Sequence, residues 1–440
     1  MKDSIKDNCG VIGIVSSNNN ILDDLYLGAF YLQHRGQQYC GISTYDGKDI
    51  KIRTHRGLLR ETFEKDLHNM EGTSGIAHLS LKDRQPIKLT SRIGEFTLCF
   101  SGNINNADEL IKKLQEQGHT FYTTSDSELI GKLIGMGADF PDGIKRMAAA
   151  IKGSFALAIL TKGGVYAARD KRGYRPLILG KKNGAHVVSS ESCSFNNIGA
   201  EIIRDLKPGE ILFLTDSKYE TVGQIESDMT QFCTFEWVYI ANLASIIEGT
   251  GVAEARKNIG MHLARRYPVD IDVVAAVPNS GIGHALGYAM ESKIPYDHVF
   301  VRYDYAGRSY TMPTQQERDR EAKIKLISIE PSIKGKRVLL CDDSIVRGTQ
   351  MKNDLVVKLR KAGAREIHAR IACPPLKAPC RYGVSTRDAK ELIANDRTID
   401  EIRKYIGLDS LAYNTIEDMA ESIKLPQEKL CLSCWNGKYR

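Results

Sequence analysis

No run of apolar residues in this 440-residue chain approaches the roughly 18 to 20 that a membrane-spanning helix needs. Membrane residence through a helix is therefore not expected. Basic residues do not cluster either. The net charge of +7 is mild for this length, with no long run of Lys or Arg and no interleaving of aromatic with basic residues. Such a balance suits small anionic substrates and carries no nucleic-acid footprint. Cysteine is sparse: ten residues are too few for a disulfide scaffold and point to a reducing, cytoplasmic compartment. The opening stretch MKDSIKDN is polar and lacks the apolar core of a secretory signal. Internal repeats and low-complexity segments are absent, which argues against solenoids and arrays.

What is present is an ordinary globular composition, 42% hydrophobic and 26% charged, long enough for two or three domains. Up to about residue 215, short strand-like runs dominate: VIGIV, FALAIL, VYAARD, HVVSS and GEILFL. Helical patterns are few there: one near Leu25, where Leu25, Gly28, Ala29 and Leu32 share a face, one over about 106–117 and one over about 126–135. Stacked sheets with helices outside are expected. After about residue 230 the rhythm becomes βαβ. VVAAVP leads into a helix from Gly283 to Glu291, HVFVRY follows, VLLCDD leads into a helix from Gln350 to Ala362, and EIHARIAC is the next strand. That alternation predicts a parallel sheet with its ligand site at the strands' carboxyl ends. The polar, strand-poor stretch 216–230 is the expected domain boundary.

The string VLLCDDSIVRGTQ, Val338 to Gln350, is the most informative. A buried strand ends in Asp342 and Asp343, and a short glycine-containing loop then opens a helix. Free N–H groups and the positive dipole end at a helix start favour phosphate. Two adjacent carboxylates suit sugar hydroxyls, or a Mg²⁺ that itself binds pyrophosphate. Together they predict a site for a phosphorylated sugar. The string resembles the phosphoribosyl pyrophosphate (PRPP) loop of the type I phosphoribosyltransferases. By that resemblance Asp342 and Asp343 hold ribose hydroxyls and help place Mg²⁺, while Ser344, Ile345, Val346, Arg347, Gly348 and Thr349 wrap the 5′-phosphate. VPNSG, with Asn279, Ser280 and Gly281, resembles the family's pyrophosphate loop, and Asn279 stands where an acid is usual. The segment from Tyr305 through Arg308 to Lys325 resembles the flexible loop that closes over PRPP.

In the first half, CGVIGIV, LQHRGQQYCGI, HRGLL, SGNINN and TTSDSELI occur in order. They resemble the class II glutamine amidotransferases, whose N-terminal-nucleophile domain is an αββα sandwich. Both halves together resemble the amidophosphoribosyltransferase family. The resemblance implies an α+β sandwich domain over 9–228 and an α/β transferase domain over 229–440, preceded by an eight-residue propeptide, 1–8. It implies Cys9 as the nucleophile, its own α-amine serving as base once Asn8–Cys9 is cleaved. Ser101 and Gly102 occupy the oxyanion positions, and Arg35 and Asp126 the substrate contacts. Two positions depart from the pattern: Ser80 stands where an arginine usually clamps the glutamine carboxylate, and Ser101 where an asparagine is usual.

The implied reaction is formation of phosphoribosylamine, pyrophosphate and glutamate from PRPP and glutamine in purine synthesis. The departures keep two alternatives in play: a transferase using free ammonia beside a silent glutaminase, and a PRPP- and nucleotide-binding regulator without catalysis. Cys233, Cys380, Cys431 and Cys434 match positions that ligate a [4Fe–4S] cluster in the iron–sulfur branch of the family; four thiolates also suit a structural zinc. A homotetramer inhibited by purine nucleotides is implied by the resemblance alone.

Overall fold

The computed structural model describes residues 9–17, 20–63, 66–303, 326–383 and 388–439. The chain divides into two compact units. The first comprises residues 1–233, 240–249 and 380–385, and the second 234–239, 250–379 and 386–440. The sequence pattern gave no sign of the two short returns to the first unit.

The first unit holds a seven-stranded and a six-stranded sheet. In the seven-stranded sheet the strand Gly10–Ser16 lies between Ala185–Ser189 and Ser74–Ser80, antiparallel to both. All seven of its residues are buried, so it reads as a continuous apolar run rather than as an alternation. The six-stranded sheet has Gly94–Ile104 paired with Gly153–Thr161. Val11, Val15 and Ile76 from the first sheet and Ala156, Leu160, Val165 and Leu212 from the second share one buried core. Each such buried Val, Leu or Ile side chain contributes about 1.5–3 kcal/mol. The helix Leu22–Phe30 covers the outer face of the first sheet through Leu22, Leu25 and Ala29. The helices Ala107–Glu116, Asp126–Gly135 and Phe140–Ala150 cover the outer face of the second. The layers are therefore α, β, β, α. The stretch expected to be strand-poor contains Tyr219–Gln224, an edge strand of the six-stranded sheet. Its polarity reflects that edge: four of its six residues are exposed.

The second unit is built on four parallel strands in the order Val273–Ala276, Arg337–Asp342, Glu366–Ile371, Ser410–Tyr413. Neighbouring parallel strands bring the loops after Ala276 and Asp342 to the same end of the sheet. The helices Val252–Arg266 and Ile282–Ser292 cross at backbone contact: a Cβ on Gly260 would lie 1.9 Å from the His284 carbonyl oxygen, and one on Gly287 would lie 1.9 Å from that of Lys257. After Gly348 the chain is helical as expected, but its first part, Met351–Val356, is wound as a π-turn before Val357–Lys361. Such turns are rare and are frequent at functional sites.

Candidate active sites

Cys9 immediately precedes the central strand of the seven-stranded sheet and is 1% exposed. The strand start is fixed by Ser190, whose hydroxyl accepts from Val11 N at 3.0 Å and whose N–H donates to Val11 O at 2.9 Å. Cys9 lines a small pocket with Lys82, Asp83, Gln85, Phe100, Gly102, Asn103 and Asp126. Gly102 and Asn103 come from the strand Gly94–Ile104. Ser101 is buried and is not among those lining residues, whereas Gly102 is.

Asp126 opens the helix Asp126–Gly135, where the dipole favours an acid. Ser125 caps that helix by accepting from Glu128 N, and the Glu128 carboxylate accepts from the N–H groups of Tyr122 and Thr123 at 2.8 and 2.6 Å. The loop before Asp126 is thereby held. Lys82 Nζ lies 3.0 Å from Asp126 Oδ2. Burial pushes the Asp126 carboxyl up, and Lys82 works against that rise. Asp83 accepts from Gln85 Nε2 at 3.0 Å and from the Ser127 hydroxyl at 3.1 Å. Gln85 in turn accepts from Phe100 N at 2.7 Å, so the loop after Ser80 is tied to both neighbouring elements.

Arg35 is buried and directed at Glu191, which also takes His34 at 2.7 Å. Burial alone would raise the Glu191 carboxyl; Arg35 and His34 instead hold it well below the usual carboxylate range. Arg35 is not among the pocket's lining residues.

In the second unit the strand Arg337–Asp342 delivers the acid pair. Asp342 Oδ1 accepts from Asp343 N at 2.9 Å and from the Ser280 hydroxyl at 3.3 Å, and Asp343 Oδ2 accepts from the Ser344 hydroxyl at 2.6 Å. Burial, then the neighbouring charge of Asp343, raises the Asp342 carboxyl well above its ordinary value. Gly281 approaches so closely that a Cβ there would lie 2.1 Å from the Cys341 carbonyl oxygen; the Pro278–Asn279 peptide is cis. Asn279, Ser280 and Gly281 thus turn beside Asp342 and Asp343. The loop Ser344–Thr349 follows, with Ile345 buried and Val346 O accepting from Ile393 N at 2.8 Å. Gly348 sits at φ +74°, where a Cβ would also meet Ile393 Cδ1 at 2.7 Å. Arg347 reaches outward to Glu391 at 2.7 Å. Two acids, donor hydroxyls and a helix start therefore converge, and the acids have no cation among the partners described for them.

A family described as "Glutamine amidotransferase domain" matches residues 74–197. An amidophosphoribosyltransferase of Methanothermobacter thermautotrophicus is 39% identical, the match covering 99% of this chain and 95% of the relative. One of Bacillus subtilis is 36% identical over 99% of this chain and 94% of its own. A solved structure, glutamine PRPP amidotransferase from B. subtilis complexed with ADP and GMP, superposes with a TM-score of 0.91 at 36% identity, covering 98% of this chain and 97% of that one.

This chain belongs to the amidophosphoribosyltransferase family. Its fold is accordingly an N-terminal-nucleophile sandwich followed by a type I phosphoribosyltransferase sheet. Amidophosphoribosyltransferases are pentosyltransferases of the glutamine amidotransferase type. No helix among the described residues is long and apolar enough to cross a membrane.

Met1–Asn8, with the expected propeptide, and the loop carrying Arg308 and Lys325 lie outside the described residues. Cys233 and Cys380 fall in the first unit, Cys431 and Cys434 in the second. Thr234, next to Cys233, donates to Cys431 O at 2.9 Å; Lys377 and Ala378, just before Cys380, donate to Cys434 O at 2.9 and 3.1 Å. Among the described residues no group of three or more His, Cys, Asp or Glu side chains is arranged to hold a metal ion. Asp83, Gln85 and Asn103 are pocket residues that the motif comparison did not single out. The signal available was the short loop after Ser80, whose polar residues had to face something.

Proposed function

We propose that the chain forms phosphoribosylamine from PRPP, using ammonia released from glutamine in its first unit. The observation that carries this reading is the convergence of Ser280, Asp342, Asp343 and the Ser344–Thr349 loop at one end of a parallel sheet in a chain whose other unit buries a thiol in a polar pocket. Cys9 attacks the glutamine amide carbon; ammonia leaves, and water then releases glutamate from the thioester. With Met1–Asn8 removed, the Cys9 α-amine serves as base: a thiol near pKa about 8.5 and an amine near about 8 are well matched for transfer. Gly102 offers a backbone N–H toward the developing oxyanion, with Ser101 beside it.

At the second site Asp342 and Asp343 bind the ribose hydroxyls. Asn279, Ser280 and Gly281 take the pyrophosphate, and Ser344, Ile345, Val346, Arg347, Gly348 and Thr349 the 5′-phosphate. Arg308 and Lys325 supply positive charge from the closing loop. Ammonia displaces pyrophosphate at ribose C1 by positioning and charge stabilisation. An acid pair, Asp343 buried and Asp342 half-buried, whose described partners are N–H and O–H donors fits a hard divalent cation; Asp342 and Asp343 would hold Mg²⁺, which neutralises the leaving pyrophosphate when bound. Cys233, Cys380, Cys431 and Cys434 supply four soft donors and would hold a structural [4Fe–4S] cluster. Brown protein with visible absorbance after anaerobic purification supports the cluster; stoichiometric zinc without iron contradicts it. Purine nucleotides are proposed as inhibitors, the assembly as a homotetramer and the location as cytoplasmic.

Product formation from PRPP with glutamine, with ammonium and with neither tests the reading. Glutamine-dependent product that disappears in Cys9→Ala is expected, with ammonium-dependent product retained. Product with ammonium but none with glutamine in the unaltered protein would contradict the proposed role of Cys9; no product with either nitrogen source would contradict the reading as a whole.

A further inference from the structure

We infer that Lys82 and Asp126 are the two ends of a clamp for the backbone of a free α-amino acid, Lys82 taking the α-carboxylate. This inference rests on the proposed glutamine chemistry at Cys9. Lys82 is the one cation among the described residues that line the Cys9 pocket. It stands 3.0 Å from Asp126, with 34% of the Lys82 side chain and 15% of the Asp126 side chain exposed, so the pair sits at the pocket wall within reach of solvent and ligand. The backbone places it: Lys82 N donates to the Ser80 hydroxyl at 2.9 Å, at the end of a wholly buried strand. Asp83, the other acid of the pocket, is already engaged by Gln85 and Ser127. Asp126 is the acid whose described side-chain partner is a lysine.

The selectivity follows from counting ion pairs. Among the described residues the pocket without ligand shows one, Lys82 with Asp126. An α-amino acid carries an ammonium and a carboxylate on one carbon. Its entry exchanges that pair for two, ammonium on Asp126 and carboxylate on Lys82. An amide carrying only one of those charges exchanges one pair for one while still losing hydration, so it gains nothing. The lysine ammonium, a compact charge on a flexible stem, can swing from Asp126 to a carboxylate without moving the backbone. Lys82 is thus a positioning residue: it holds the amino acid so that the side-chain amide points at Cys9.

The test compares glutamine with glutaminamide, which keeps the ammonium and the side-chain amide but lacks the carboxylate. Steady-state kinetics on the full chain are paired with calorimetric binding to Cys9→Ala. The unaltered protein is expected to favour glutamine in KM by about tenfold or more, the scale of one charge-assisted contact. Lys82→Met should raise the glutamine KM by about tenfold with little change in kcat and bring the two amides close to parity; Lys82→Arg should recover most of the preference. A preference for glutamine that survives Lys82→Met overturns the inference while leaving the proposed glutaminase intact. Glutamine that binds in a Lys82-dependent way without being hydrolysed sinks the proposed chemistry and supports the clamp. No glutamine binding at all overturns both.

Discussion

At the scale of single residues, the account turns on where charge is left uncompensated. Asp342 is the clearest case. Burial and the adjacent Asp343 raise its carboxyl well above the ordinary range, and the partners described for the pair are N–H and O–H groups. A bound cation or ribose relieves that repulsion. Asp343→Asn should therefore weaken PRPP, read as a rise in KM of about tenfold or more, because hydrogen bonds to charged groups are worth about 1.5–3 kcal/mol each. Titration of Asp343→Asn with PRPP and Mg²⁺ by calorimetry checks this; unchanged affinity would remove the carboxylate from the site. Glu191 shows the opposite economy. It is fully buried, yet Arg35, His34, Ser245 and the Asn242 N–H all serve it. The arginine expected at the substrate is engaged there, and Arg35→Ala should destabilise the first unit by about 3–5 kcal/mol through the buried charge it strands. A thermal midpoint that does not move would contradict this.

At the scale of elements, the proposed phosphate loop depends on one glycine. Gly348 adopts φ +74° with Ile393 packed where a Cβ would go. Gly348→Ala meets both the left-handed penalty, about 1 kcal/mol, and a steric clash. The expected result is a displaced loop, with transferase activity lost and glutamine hydrolysis retained; transferase activity equal to the parent would show that the loop does not bind phosphate. This loop was legible in the sequence because its acid doublet, glycine and helix start are contiguous. The helix Leu22–Phe30 was legible for a similar reason, its apolar residues recurring at one period. The edge strand Tyr219–Gln224 was not, because an exposed edge has little apolar pattern to read. The helix Val252–Arg266 was not read, although Val252, Ala255, Ile259 and Leu263 recur on one buried face, because buried Arg256 and Gly260 interrupt that stripe. The Lys82–Asp126 pair joins residues 44 positions apart, and no local spacing reports it.

At the scale of the molecule, each unit buries a histidine in neutral form. His78 is driven down to about 4 mainly by burial, with Asp83 and the Phe100 carbonyl acting against that, and burial then Arg256 drives His284 down to about 3. Their unfolded counterparts titrate near 6.5. Above that value the two states bind the same number of protons and the contribution to stability is complete. As the pH falls below it, the unfolded chain takes up protons that the folded chain refuses. By pH 5 each histidine should have cost about 2 kcal/mol. Asp205, raised to about 6 by burial and by Glu248, binds a proton in the folded state over the same range and offsets part of that loss in the first unit. Asp342, raised by burial and by Asp343, acts in the same sense in the second unit. The fall in thermal midpoint between pH 7 and pH 5 should therefore be steeper in Asp205→Asn and in Asp342→Asn than in the parent; an equal or shallower fall would contradict these shifts. The two-unit organisation was visible in the change from stacked-sheet to βαβ rhythm. The returns at 240–249 and 380–385 were not, because a short segment that changes unit keeps no pattern of its own.

The central claim is that this one chain moves nitrogen from a glutamine amide to an activated ribose. Its most direct test supplies PRPP, Mg²⁺ and glutamine labelled with heavy nitrogen on the side-chain amide, in the presence of unlabelled ammonium. Labelled phosphoribosylamine, absent in Cys9→Ala, is the expected result. Product carrying only nitrogen from solution, or no product at all, would contradict the account.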